Sequence, residues 1–268
     1  MGLLSGYPDD LKLLYMDITI ADIGQSAMTP GCKIYQQPLK ITDQIDILLS
    51  FWPQLKADFA LKYAAKLERV KSLQGFRYSE GLVVLIRESF FSNKLTEELA
   101  EVLTMITYAR HGRFCDFLGV SGPGQLRDTF SAQRLQRFLE DQQKGDLLVV
   151  PAQLGLNYRG EAVKKSLPSV SEVHMGKIAK KSSSCRTAFE HPVSLRNAAV
   201  MLLANPHRFV GYQDLFMYAS GSQFAPAGDT SFSMTPCFQY IAGGFQLSYR
   251  LANKTNPNYG IASIYADL

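Results

Sequence analysis

Residues 136–151 read QRFLEDQQKGDLLVVP, and within them the pattern of apolar residues changes at Gly145. Before Gly145, apolar side chains recur at the three- and four-residue spacing of amphipathic helices. After it, short aliphatic and aromatic runs alternate with Gly, Pro, Ser and Asn, which is typical of strands joined by turns. The sequence therefore predicts a mainly helical part over residues 1–145 and a mixed α+β part with long loops over residues 146–268.

Several segments of the first part show helical spacing. We predict helices over residues 42–52, 54–73, 96–108 and 125–143, since each has an apolar face and polar or acidic residues at its start. The segment 80–91 is apolar in its first half, and its periodicity does not distinguish helix from strand. Its helical neighbours favour a helix there.

The second part combines strands with one helix. Residues 147–150 are aliphatic and precede Pro151, which predicts a short buried strand. Ser194 is placed to cap an apolar, buried helix over residues 195–204. Aromatic runs on either side of Gly243 and Gly244 predict an antiparallel hairpin. The predicted fold class is thus α+β, with a helical N-terminal part packed against a smaller mixed C-terminal part that contains the hairpin.

The composition favours a globular protein of the cytoplasm. Of the 268 residues, 46% are hydrophobic, which is enough for a core without metals or disulfides. The formal net charge of +4 is too small to indicate a concentrated phosphate-binding face. Residues 1–7 lack the pattern of a secretory signal, and the aliphatic run Leu82–Ile86 is far shorter than the roughly 20 residues that span a bilayer. We therefore expect no transmembrane segment.

The cysteines and histidines do not show the spacing of a metal site. The chain has four cysteines and no C-x-x-C pair: Cys32, Cys115, Cys185 and Cys237. It has four histidines, none spaced to place two imidazoles on one helix face: His111, His174, His191 and His207. Local zinc motifs require such spacing. We predict reduced thiols, no metal and no cofactor.

A basic segment of the second part is the candidate anion-binding site. Its cations lie among serines and are Lys177, Lys180, Lys181 and Arg186. Side chains of this kind neutralise phosphates of RNA, DNA or an anionic membrane when several act together. A cleft of the folded protein adds four further candidates: Arg134, Arg137, Lys164 and Lys165. No aromatic residues interleave the basic segment, so a solvated loop is the competing interpretation.

The last quarter of the chain is rich in aromatic residues. Those predicted to contact a partner, around a polar loop at residues 220–236, are Tyr212, Phe216, Tyr218, Phe224 and Phe232. Large, rigid aromatic surfaces are enriched in protein interfaces because their burial costs little conformational entropy. Core packing is the competing interpretation of the same residues.

Three short motifs of the second part resemble uncharacterised bacterial proteins. They are VVPAQLG at residues 149–155, YQDL at 212–215 and YGIAS at 259–263. The resemblance covers less than half of the chain and implies no activity. It implies only a bacterial type of cytoplasmic protein.

These observations lead to one functional hypothesis and two alternatives. The leading hypothesis is a non-enzymatic adaptor or accessory subunit of a bacterial multiprotein assembly, for example a secretion-type complex. Its expected partners are other proteins, and the hypothesis is compatible with an oligomer. The first alternative is a nucleic-acid-associated protein that uses the basic segment. The second is an enzyme of an unrecognised family, with a cleft between the two parts that contains His191, His207, Asp214 or Asp229.

Overall fold

The computed structural model describes residues 38–69, 79–91, 114–116, 126–154, 189–205, 216–241, 244–252 and 259–266. Within these ranges the helices are α1 (Ile41–Phe51), α2 (Asp58–Arg69), α3 (Phe130–Gln142), α4 (Leu195–Ala204) and a short 3-10 turn at Glu88–Phe90. The strands are β1 (Gly81–Ile86), β2 (Phe114–Asp116), β3 (Leu126–Asp128), β4 (Leu147–Leu154), β5 (Phe189–Pro192), β6 (Phe216–Tyr218), β7 (Ser222–Phe224), β8 (Met234–Ile241), β9 (Gly244–Leu251) and β10 (Tyr259–Ala266).

These ten strands form one mixed sheet. Its main path runs β1-β4-β10-β6-β8-β7-β3, while β5 pairs with β10, and β9 lies between β8 and β2. The pairs β10–β6 and β2–β9 are parallel, and the remaining pairs are antiparallel. Helices α1 and α4 pack on β1, α2 packs on β4, and α3 packs on β5. The sheet therefore joins chain segments from both sides of Gly145.

The predicted fold class is wrong, because the described part is organised around the sheet and not around a helical N-terminal part. Residues 81–86, predicted as helix, form β1 and pair antiparallel with β4 from Gly81↔Ala152 to Ile86↔Leu147. Leu82 to Ile86 are all buried. An aliphatic run that is buried on both faces has no polar alternation, so its sequence does not show that it is a strand. The division into domains at residue 145 stays a prediction.

Other local predictions are confirmed or corrected by the structure. The Ser194 hydroxyl accepts a hydrogen bond from the Asn197 amide at 3.2 Å, and every residue of α4 is buried. The predicted hairpin is β8–β9, paired from Met234↔Leu251 to Ile241↔Gly244. Helix α3 is shorter than predicted, because residues 126–128 form β3 before it. The helix predicted over residues 96–108 lies outside the described residues.

Two buried glutamines complete the hydrogen bonding of the β1–β4 pair. The Gln44 amide of α1 accepts from the Val84 nitrogen at 2.9 Å and donates to the Leu82 carbonyl at 3.0 Å, on the outer edge of β1. The Gln143 amide accepts from the Val149 nitrogen at 2.8 Å and donates to its carbonyl at 2.9 Å. Each side chain thus replaces a neighbouring strand for backbone groups that have no access to water.

We expect Gln44→Met to destabilise the protein by about 2–3 kcal/mol, because it leaves the buried Val84 and Leu82 backbone groups without partners. Chemical denaturation of the variant, read as a shift in transition midpoint, measures this loss. Gln142→Met, at an exposed position in the last turn of α3, is the matched control and changes stability by less than about 0.5 kcal/mol. If the two substitutions lower stability equally, the Gln44 amide does not stabilise the Val84 and Leu82 backbone groups as described.

Gly221 is the point at which three segments meet. Its nitrogen donates to the Val193 carbonyl at 2.7 Å, and its carbonyl accepts from the Thr129 nitrogen at 2.8 Å. A Cβ atom at this position would lie 2.5 Å from the Val193 carbonyl oxygen and 2.7 Å from the Ser194 nitrogen. Both neighbours are backbone, so neither moves aside without displacing the start of α4.

Gly221→Ala is expected to cost about 1–3 kcal/mol through overpacking, measured by thermal or urea unfolding. Gly81→Ala is the control, because its new Cβ first meets the side chain of Pro38, at 3.1 Å, which adjusts more easily than backbone. If the Gly221 variant is as stable as the Gly81 variant, the backbone of Val193 and Ser194 does not pack as closely against Gly221 as described.

Candidate functional site

The junction of β3 and α3 carries the most exposed large apolar side chain in the described part of the chain. Phe130, the first residue of α3, is 77% exposed. The helix begins there because the Thr129 hydroxyl accepts a hydrogen bond from the Ala132 amide at 3.3 Å. The capped helix start therefore fixes the backbone at Phe130, while the ring itself is largely in solvent.

A cation–π contact lies beside this junction. The Arg127 guanidinium of β3 is 3.8 Å from the centroid of the Phe232 ring, and its Nε donates to the Gln223 amide oxygen at 3.0 Å. Phe232 has a φ of 47°, a left-handed conformation that costs a non-glycine residue roughly 1 kcal/mol or more. The contact orders the loop between β7 and β8 at the cost of this backbone strain.

Helix α3 extends the same region with positive charge. Phe130, Arg134 and Arg137 are spaced by four and three residues, so they share one exposed face of the helix. The opposite face buries Leu135 and Leu139. We call the group Arg127, Phe130, Arg134, Arg137 and Phe232 the β3–α3 surface. Arginine beside aromatic rings, here one exposed and one half-buried, is the composition that protein interfaces favour.

The aromatic residues predicted to contact a partner differ in their environments in the structure. Tyr218 and Phe224 are 1% and 3% exposed, and the Phe224 ring packs 4.8 Å from the Tyr249 ring, so both contribute to the core. Phe232 is half-buried at the β3–α3 surface. Phe216 lies in β6, with its side chain outside the described set, and Tyr212 lies outside the described residues.

Sequence reasoning did not select Phe130 or Arg127. For Phe130 a signal exists, because the residue is out of phase with the buried positions Ala132, Leu135 and Leu139 of its own helix. For Arg127 no local signal exists, since its ring partner is more than 100 residues away along the chain. Only the pairing of β3 with β7 brings the two together.

The predicted anion-binding residues Lys177, Lys180, Lys181 and Arg186 lie outside the described residues, as do Lys164 and Lys165. Arg134 and Arg137, the other two cations proposed for a folded cleft, are exposed on α3. The anion-binding role of the basic segment stays a prediction.

The residues proposed for an unrecognised enzyme are in unlike environments. His191 is buried in β5, with Nε2 3.2 Å from the Ala266 carbonyl oxygen. Burial lowers the pKa of His191 to about 4, and the charge of Arg134 acts in the same direction. Asp229 is exposed, and hydrogen bonds from the Ser231 amide and hydroxyl lower the pKa of its carboxyl. His207 and Asp214 lie outside the described residues.

An apolar cleft of about 250 Å³ lies between α2 and α3, above β4 and the end of β10. Tyr63 and Leu67 of α2 form one wall, and Phe138 and Leu139 of α3 form the other. Its floor is formed by Val149, Val150, Pro151, Tyr265 and Ala266. The only polar side chains in this lining besides the two tyrosines are Gln142 and Gln143.

Comparison with known proteins finds no family model, no curated protein and no solved structure that matches the chain. Among the described residues, no three His, Cys, Asp or Glu side chains are grouped so that they could hold a metal ion. None of the helices in the described ranges is both long enough and apolar enough to cross a membrane.

The buried His191 predicts a dependence of stability on acid pH. Its pKa of about 4 in the folded protein lies below the ordinary value of 6.5, so the unfolded chain binds the proton first as the pH falls. The His191 contribution to stability is complete above pH 6.5 and is lost between pH 6.5 and about 4, by roughly 3 kcal/mol in total.

His191→Gln keeps a donor for the Ala266 carbonyl but does not titrate. We therefore expect the difference in unfolding free energy between the two proteins to change with pH over this interval and to be constant above it. Urea unfolding at a series of pH values measures the difference. Parallel curves for the two proteins would show that His191 titrates normally.

Proposed function

We propose that this protein is a non-enzymatic accessory subunit of a bacterial cytoplasmic assembly, and that it docks an acidic protein segment on the β3–α3 surface. The single observation that carries the proposal is the 77% exposure of Phe130 at a capped helix start. Burying such a ring against a partner contributes about 1.5–3 kcal/mol. The same ring contributes little to the isolated fold.

The surface is prepared for binding before a partner arrives. The Arg127 guanidinium is held between the Phe232 ring and the Gln223 amide, so little side-chain freedom remains to be lost. Preorganised contacts of this kind raise affinity by lowering the entropic cost of association. Phe232, one of the aromatic residues predicted for docking, belongs to this prepared group.

The charge of the surface selects the partner chemistry. Arg127, Arg134 and Arg137 are all exposed, and arginine pairs with carboxylates through two parallel hydrogen bonds. Carboxylates on the partner increase the association rate and fix its orientation. Arginines beside an exposed ring are also the chemistry of single-stranded nucleic acid binding. The experiment must therefore distinguish a protein from an RNA or DNA.

Photo-crosslinking from position 130 tests the proposal directly. A photoreactive phenylalanine analogue replaces Phe130 in the native cell, and a matched analogue replaces Leu61, which is 46% exposed on α2. We expect a discrete protein crosslink from position 130, unaffected by nuclease and absent from position 61. Arg127→Glu is expected to reduce the yield of this crosslink at least about fivefold through charge reversal.

Three outcomes count against this docking role. A crosslink that nuclease removes assigns the surface to nucleic acid. Equal crosslinking from positions 130 and 61 shows non-specific contact. A yield that Arg127→Glu leaves unchanged shows that the arginine takes no part in recognition.

A further inference from the structure

The cleft between α2 and α3 has the dimensions of a small-molecule site. An apolar cavity of about 150 Å³ is enough to hold a benzene ring, and this cleft measures about 250 Å³. A single ring or branched alkyl group with a short side chain therefore fits. Aromatic rings from both helices, Tyr63 and Phe138, line the cleft and offer their faces or edges to such a group.

Positive charge lies beside the cleft on both helices. On α2, the Lys66 Nζ atom is 5.6 Å from the centroid of the Tyr63 ring. On α3, Arg134 precedes Phe138 by one turn and Gln142 by two, so these three residues follow one line along the helix. Phe138 and Gln142 line the cleft. The exposed Arg134 lies one turn before Phe138 on the same side of the helix, and therefore beside the cleft.

Helix α3, which carries Arg134, packs on β5, and β5 pairs with β10, whose residues Tyr265 and Ala266 lie in the cleft floor. The His191 imidazole of β5 contacts the Ala266 carbonyl, and the positive charge of Arg134 contributes to lowering the pKa of His191. The acidic residue Asp141 lies seven residues further along α3, about 10 Å away. An anionic group is thus favoured at the Arg134 end.

Hydrogen-bond donors are available inside the lining as well. Burial raises the pKa of Tyr63, so its phenol stays protonated and able to donate at neutral pH. Gln142 presents an exposed amide. Gln143 takes no part, because both ends of its amide bind Val149.

We propose that this cleft binds a small carboxylate whose single ring or branched alkyl group occupies the space between Tyr63 and Phe138. The carboxylate lies at the mouth, near Lys66 and Arg134. Arg134 belongs to both this site and the β3–α3 surface, but Phe130, whose exposure carries the docking proposal, lies two turns from Phe138 and does not line the cleft.

The test uses 3-phenylpropanoate and its neutral amide as matched probes, with binding followed by NMR shifts of backbone amides. We expect saturable shifts that include Leu139 and Ala266, with a dissociation constant in the millimolar range for a probe of this size. The carboxylate binds more tightly than the amide.

Charge variants locate the carboxylate. Lys66→Gln and Arg134→Gln are each expected to weaken the binding of 3-phenylpropanoate about threefold to fivefold, as for partly exposed ion pairs. Both variants are expected to bind the amide as the unaltered protein does. Lys62→Gln and Arg137→Gln, on the same helices, are the matched controls and leave both probes unchanged. Phe130→Ser also leaves binding unchanged, which separates this site from the docking role.

Leu67→Trp fills the cleft and is expected to abolish binding of both probes, with a thermal melt and an NMR spectrum to verify folding. If this variant does not fold, the charge variants decide the question alone. The proposal is overturned if no saturable shifts occur at the solubility limit of the carboxylate, or if the shifts lie elsewhere on the protein. It is also overturned if Arg134→Gln lowers the affinity for the carboxylate and the affinity for the amide equally.

Discussion

The pairing of β1 with β4 is the constraint on which the rest of the structure depends. Both strands are buried along almost their whole length, so every backbone group that β1 and β4 do not satisfy between them must find another partner inside the protein. Strand β10 supplies some of these partners to β4, and Gln44 and Gln143 supply others. Their positions attach α1 to one edge of the pair and the end of α3 to the other.

Arg87 extends this attachment to the whole end of α3. It follows β1 directly and donates to the carbonyls of Gly145 at 2.7 Å, of Glu140 at 3.1 Å and of Gln143. A helix C-terminus is negative and disfavours nearby acidic residues, yet α3 ends with Glu140 and Asp141. The half-buried Arg87 guanidinium, hydrogen-bonded to these carbonyls, offsets that cost. It also fixes α3 over the sheet, which determines both the width of the cleft and the direction in which the basic face of α3 points.

The sequence was sufficient for elements with strong local signals and insufficient for those whose partners are distant. Ser194 and the apolar residues after it predicted α4, and two glycines between aromatic runs predicted the β8–β9 hairpin. Strand β1 was predicted as helix because a strand that is buried on both faces does not alternate apolar and polar residues. Strand β4 continues through Pro151 because Leu82, opposite it, directs its carbonyl outward to Gln44. The missing N–H of Pro151 therefore removes no bond to β1.

The candidate site shows the same division. The phase of α3 carries a signal for Phe130 that the sequence analysis did not use, since the buried face of the helix consists of Ala132, Leu135, Gln136 and Leu139. The Arg127–Phe232 contact depends on sheet order, which no local pattern contains. The left-handed conformation of Phe232 lowers the stability of the isolated chain, and the exposed ring of Phe130 contributes little to it. Docking of a partner, as proposed above, would account for both residues beside a helix start whose cap needs neither ring.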